Sequence, residues 1–179
     1  LEKLETLQLK GRYTKYQKTL DAFLFCCYAG MRYSDFVNMK PDNIVEMHQE
    51  TWLIYKSIKT GTEVRLPLYL LFSGKGILIL NKYQANLQDF FHLRDNSNVN
   101  KELIIIARLA GVAKKVSFHT ARHTNATLLI YNGVNITTVQ KLLGHKSVKT
   151  TQIYTNVMDA TIISDLEKNH SSVHRKKGK

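Results

Sequence analysis

The chain has 179 residues and a formal charge of +12, from 26 Lys and Arg against 14 Asp and Glu. An apolar share of 44% supports one domain with a real core. The positive excess points to a polyanionic partner, most simply DNA or RNA, and the longest apolar stretch, residues 22–29, is far short of the ~20 residues that span a membrane.

In chain order, residues 17–29 read as a buried helix ended by Gly30. This helix holds the only cysteines, Cys26 and Cys27. As neighbours they cannot staple a loop, so they read as small buried apolar side chains in a reducing, cytoplasmic setting. No Cys or His cluster has zinc-ligand spacing, so no metal is expected. Ser34 is the expected N-cap of a short second helix. Pro41-Asp42-Asn43 is a turn. Residues 44–46, 52–55 and 63–66 alternate as three short strands. Thr60-Gly61-Thr62 makes the hairpin between the last two, and Pro67 closes the sheet. Residues 73–98 have poor periodicity and give only a helix near 83–92. Helical spacing returns over 100–110 and stops at Gly111. Ser117 or Thr120 opens a helix running to about Gly133, and 136–143 is a shorter one stopped by Gly144. Segments 147–156 and 159–167 complete the series, before a basic tail from His174 to Lys179. The expected fold is mainly α-helical with one small three-stranded antiparallel β-sheet.

The chemistry-bearing residues lie far apart in this order. Arg32 and Arg122 offer forked, permanently charged donors suited to phosphate oxygens. His119, His123 and His145 can donate hydrogen bonds or move protons near neutral pH. A tyrosine hydroxyl such as that of Tyr154 can act as a covalent nucleophile. His119 and Arg122, three residues apart, share a face at the start of one helix, where the dipole favours an anion. Neither a glycine-rich nucleotide loop nor a pair of carboxylates accompanies them. The combination suggests phosphoryl transfer without a nucleotide, metal or other cofactor.

Four boxes in a fixed order carry a resemblance to the tyrosine recombinases, the family of phage integrases, Xer-type recombinases and conjugative-transposon integrases. Gly30-Met31-Arg32-Tyr33-Ser34-Asp35 resembles the first arginine box of that family. His119-Thr120-Ala121-Arg122-His123 resembles its His-x-x-Arg-His box, and Leu142-Leu143-Gly144-His145-Lys146-Ser147 its Leu-Gly-His-x-Ser box. Thr150-Thr151-Gln152-Ile153-Tyr154 resembles the nucleophile box. The turn Ser57-Ile58-Lys59-Thr60-Gly61-Thr62 resembles the lysine-bearing β-turn, with Lys59 in the matching place and Lys56 nearby.

The resemblance implies the catalytic-domain fold of that family over residues 13–158, and a site-specific recombinase or integrase acting on double-stranded DNA. It implies that Tyr154 attacks a DNA phosphorus, that Arg32 and Arg122 clamp the phosphate, and that Lys59 protonates the leaving oxygen. His119 would position or deprotonate Tyr154, and His145 would bind the phosphate. Asp35 would support the first arginine, and His123 would support the core through the backbone. Residues 1–12, with Lys3, Lys10 and Arg12, read as the linker remnant of a missing N-terminal DNA-binding domain; residues 159–179 form a C-terminal helix and basic tail. The family implies a homo-tetramer on DNA and a monomer for this piece alone. A DNA-relaxing type IB topoisomerase and a non-catalytic DNA-binding module are the competing readings.

Overall fold

A computed structural model describes residues 1–154; the expected helix at 159–167, the basic tail and the last residues of the 13–158 unit lie outside them. Helix α1 (Glu2–Glu5) is followed by a 3-10 segment, Gly11–Tyr16, that leads directly into α2 (Gln17–Ala29). Helix α2 is apolar nearly all round, and residues 19–29 are all buried. A helix with no polar face can only run through the middle of a core, and α2 packs against α4, α6 and α7. Both cysteines sit on it at 0% exposure.

The next helices frame this core: α3 (Tyr33–Val37), α4 (Lys75–Lys82), α5 (Leu87–Phe91), α6 (Asn96–Leu109), α7 (Phe118–Tyr131), α8 (Ile136–Leu142) and α9 (Lys149–Gln152). Phe25, Phe36, Phe90, Phe91 and Phe118 meet in the centre, several edge to face; Phe36 and Phe90 lie 5.4 Å apart at 87°. Such pairs add roughly 0.5–1.5 kcal/mol each beyond their area. Strands β1 (Ile44–Met47), β2 (Glu50–Lys56) and β3 (Glu63–Pro67) form an antiparallel meander in that order. Leu53 opposes Leu66 and Tyr55 opposes Val64. All four are buried, so one face of the sheet rests on the helices.

Several boundaries differ from the sequence reading for physical reasons. Helix α3 begins one residue before Ser34, with extended Arg32 as its N-cap and no side-chain cap. Asp95 accepts from the Asn98 N–H at 3.0 Å, which starts α6 at Asn96. Helix α4 was not expected, because Gly74 and Gly76 punctuate its start. Gly76 is nevertheless buried inside the helix, packed toward the Phe25 ring. Ser117 opens α7, its N–H donating to Thr120 Oγ1 at 3.0 Å. Within residues 1–12, expected as a linker, helix α1 is held against the domain. Leu4 is buried, Lys3 Nζ donates to the Gly111 carbonyl at 3.0 Å, and Glu5 accepts from the Tyr28 hydroxyl at 2.6 Å.

The end of α2 is the junction that positions everything else. Gly30 turns left-handed, at φ +67°. Asn125 on α7 donates its amide to the carbonyls of Cys27 and Tyr28 at 3.0 and 2.9 Å, satisfying the last turn of α2. A Cβ on Gly30 would lie 2.7 Å from Asn125 Oδ1 and 2.8 Å from Leu143 Cδ2. Gly30→Ala therefore combines left-handed strain with a clash and should cost about 2–4 kcal/mol, lowering Tm by about 5–15 °C. Thermal unfolding by circular dichroism measures this; an unchanged Tm would show that the junction is not close-packed.

Candidate active site

Arg122 sits on the second turn of α7 and is only 1% exposed. Its Nη1 donates to the Gly30 carbonyl at 2.7 Å, and its Nη2 to the Leu143 carbonyl. One guanidinium thus joins the end of α2 to the end of α8. Burial pushes its pKa down to about 10, and the charge of Arg32 adds to that, but it stays protonated at neutral pH. Two of its five N–H donors are used, and three remain.

Arg32 leaves α2 in extended conformation and enters α3. Its Nη1 donates to Ser57 Oγ at 3.1 Å and lies 3.6 Å from Asp35 Oδ2. The Asp35 side chain is wholly buried, so this is no surface pair. Ser57 Oγ donates to Asp35 Oδ2 at 3.3 Å, and the Ile58 N–H donates to Asp35 Oδ1 at 2.8 Å. Asp35 therefore neutralises part of the positive charge and fastens the hairpin to α3. Next to these groups lies Tyr55, whose hydroxyl is buried with no hydrogen-bond partner among the described residues.

The hairpin itself is a tight turn over 57–62. Its Ser57 N–H donates to the Thr62 carbonyl at 2.9 Å and its Gly61 N–H to the Ser57 carbonyl at 2.8 Å. Lys59 projects from its tip into an open cleft of about 390 Å³, shared with Arg32, Tyr33, Asn100, Ser117 and His119. Lys56 stands at the end of β2 opposite Glu63 and does not line that cleft. Of the two lysines, Lys59 is the one that lines the cleft.

Tyr154 ends the described chain and is 8% exposed. Burial raises its hydroxyl pKa, while Arg122 and Arg32 pull it back down. The ring that meets it is His123, at 5.4 Å between centroids, and His119 packs against His123 at 4.5 Å and 89°. The ring beside Tyr154 is thus His123 and not His119. Four residues apart on α7, the histidines stack along one helix face, and the chain brings Tyr154 to the farther one. His123 contacts the tyrosine ring, and among the described residues it makes no hydrogen bond to the backbone. The His119 imidazole is held below its ordinary pKa, by partial burial first and then by His123, Arg122, Arg32 and Lys59.

His145 follows Gly144 on the turn out of α8. Its Nδ1 shares a hydrogen bond with Thr151 Oγ1 at 2.9 Å, and Thr151 is fully buried. Burial, then the charges of Arg122 and Arg32, push its pKa down to about 4, so the ring is neutral at pH 7. The structure thus gathers the expected residues from three elements and two turns. It adds Ser57, Thr60, Tyr55 and Thr151, which had not been singled out. A hydroxyl at the end of a strand or inside a short helix is too common in sequences to mark a site.

Among the described residues no group of three His, Cys, Asp or Glu side chains is arranged to hold a metal ion, and no helix is long and apolar enough to cross a membrane. The fold and site define a class: a helical domain with a small sheet, whose buried tyrosine lies beside two guanidinium groups. Residues 4–161 match the Phage integrase family, and the chain belongs to that family. Tyrosine recombinase XerC of Rickettsia bellii (strain OSU 85-389) is 31% identical over 163 residues, covering 86% of this chain and 50% of that protein. The crystal structure of XerA recombinase superimposes with a TM-score of 0.70 at 25% identity, over 94% of this chain and 62% of the other. A lambda integrase tetramer bound to a Holliday junction shares the fold, with a TM-score of 0.63 at 20% identity over 79% of this chain and 44% of the other. The chain spans about half the length of the curated relatives it matches.

The depressed His145 pKa makes stability depend on pH with a definite sign. Unfolded, its imidazole takes a proton near pH ~6.5; folded, only near 4. Between these values the unfolded chain binds more protons, so stability falls as pH drops through that window. After allowance for solvent screening the loss is about 1–3 kcal/mol. Unfolding midpoints measured from pH 7 to pH 4 should fall, and more steeply in the parent than in His145→Asn. Equal slopes would show that His145 is not buried against the arginines.

Proposed function

We propose that this chain is the catalytic domain of a site-specific DNA recombinase that cuts and rejoins strands through a tyrosine ester. The observation that carries the reading is a buried Tyr154 under the charge of Arg122 and Arg32, with the His123 ring against its own and His119 packed behind His123. Tyr154 Oη attacks the phosphorus, the P–O5′ bond breaks, and a 3′-phosphotyrosyl link remains. The tyrosine proton passes toward His119 and His123, of which His119 is kept basic-form neutral by its surroundings. Lys59 gives its proton to the departing 5′-oxygen. Arg32 and the three spare donors of Arg122 hold the non-bridging oxygens as their charge grows. His145, neutral and oriented through Nδ1 by Thr151, adds a donor from Nε2. The bond energy is kept in the ester, so a 5′-hydroxyl from the same or another strand reverses the step.

Double-stranded DNA is the partner that this chemistry and the charge of +12 favour. Recombining two sites takes four cuts, so a homo-tetramer on DNA is the working assembly. Residues 13–158 are its catalytic unit, with 1–12 leading toward a further DNA-gripping domain and 159–179 following the nucleophile.

Nicked duplexes drawn from a random-sequence library and captured as covalent adducts test this directly. Adducts concentrated on one sequence support a recombinase; adducts without site selection indicate a topoisomerase, and binding without adducts indicates a DNA-binding module. Tyr154→Phe should abolish adducts while leaving binding intact, and adducts at the parental yield would show that another residue attacks.

The two arginines should separate. Arg32→Lys keeps the charge but loses the planar fork, slowing adduct formation about 100–1000-fold with Tm nearly unchanged. Arg122→Lys should slow the reaction similarly and also lower Tm, because one ammonium cannot span the carbonyls of Gly30 and Leu143. Equal stability of the two variants, by thermal unfolding, would contradict the bridging role.

A further inference from the structure

The turn that carries Lys59 is tied at both of its flanks to different halves of the site. On one flank, the Ile58 N–H donates to Asp35 Oδ1 at 2.8 Å, which fastens the turn to α3 and Arg32. On the other, Thr60 Oγ1 donates to the Gly144 carbonyl at 3.0 Å and accepts from the Thr62 N–H at 3.4 Å. Gly144 directly precedes His145. The three successive carbonyls of this loop have three different partners: Leu143 accepts from Arg122, Gly144 from Thr60, and His145 from Gln140 Nε2. A Cβ on Gly144 would stand 2.6 Å from Val64 Cγ2, so the loop is pressed on β3. Thr60 is the side chain that joins the tip of the turn to that loop.

We propose that Thr60 is a positioning residue: its bond to the Gly144 carbonyl holds the Lys59 turn against the His145 loop so that the ammonium meets the leaving 5′-oxygen. The inference rests on Lys59 as the general acid. The Lys59 side chain has no hydrogen bond or ion pair among the described residues, so its position follows from the backbone of the turn. With the Thr60 tether gone, the turn keeps its outward hydrogen bonds on the Asp35 flank alone, and the tip can pivot about Ile58. A shift of about 1 Å in a reacting group can cost up to ~100-fold in rate. The cost should appear only in the step that Lys59 serves, the transfer of a proton to oxygen as the P–O5′ bond breaks.

That selectivity gives the test. A site duplex recovered by adduct capture is made in two forms, with oxygen or with sulfur at the 5′-bridging position. Sulfur leaves without needing a proton. Lys59→Ala should be slow on the oxygen form and restored on the sulfur form. Thr60→Val, which replaces the hydroxyl by a methyl of the same shape, should be about 10–100-fold slow on oxygen and restored on sulfur, within the range a general acid supplies. Thr60→Ser should behave as the parent. If Lys59→Ala is not restored by sulfur, the general-acid reading falls and the inference falls with it. If Lys59→Ala is restored but Thr60→Val is equally slow on both forms, or at parental rate on both, the inference alone is overturned. Each variant's sulfur-to-oxygen rate ratio is internal to that protein, so a partial loss of folding cannot imitate the result.

Discussion

The fold is organised around a buried cation. Taking a guanidinium out of water costs several kcal/mol unless its surroundings replace the lost hydration. Here the replacement comes from the carbonyls of Gly30 and Leu143, at the C-terminal ends of α2 and α8. Those ends carry the negative pole of each helix, so the cation is favoured there twice, by hydrogen bonds and by the dipoles. Both carbonyls sit beside glycines in left-handed conformation, Gly30 itself and Gly144, which let the chain turn back around the charge. The first arginine segment and the His145 turn are therefore held at a fixed distance from α7 by one side chain.

The same charge governs the ionisation of its neighbours. Arg122 and Arg32 act together on His145, His119 and Tyr154. Burial is the first cause that holds the His145 and His119 imidazoles below their ordinary pKa, and these charges add to it; at Tyr154 they oppose the rise that burial causes and so lower the cost of forming a tyrosinate. Asp35, fully buried, is the carboxylate set directly against Arg32. It offsets only part of the positive charge, which leaves the cleft strongly attractive to an anion that can accept several hydrogen bonds at once.

Much of this was legible in the sequence because the signals were local. The unbroken apolar run of α2 and its glycine stop, and the strand alternation around a Thr-Gly-Thr turn, each state their own structure. Helix α4 was hidden because its glycines read as punctuation, whereas Gly76 lies buried within the helix. The four boxes and the lysine-bearing turn located Arg32, Lys59, Arg122, His145 and Tyr154, but not who touches whom. Whether His119 or His123 meets Tyr154 depends on the path of the chain after Gly144, which no spacing on α7 encodes. Ser57 and Thr60 matter only through partners 22 and 84 residues away, so nothing local marks them.

The adjacent thiols on α2 have a practical meaning for work on this domain. Cys26 and Cys27 are fully enclosed, and burial pushes both far from the thiolate form. Alkylating reagents and oxidants act on exposed thiolates, so they pass these two by while the fold is intact. A cysteine placed on the surface, at an exposed position such as Lys146 or Gln152, would then be the one group that takes a fluorophore or spin label. Conversely, reagent uptake by the native pair reports that α2 has left the core, which turns two silent residues into a built-in gauge of unfolding.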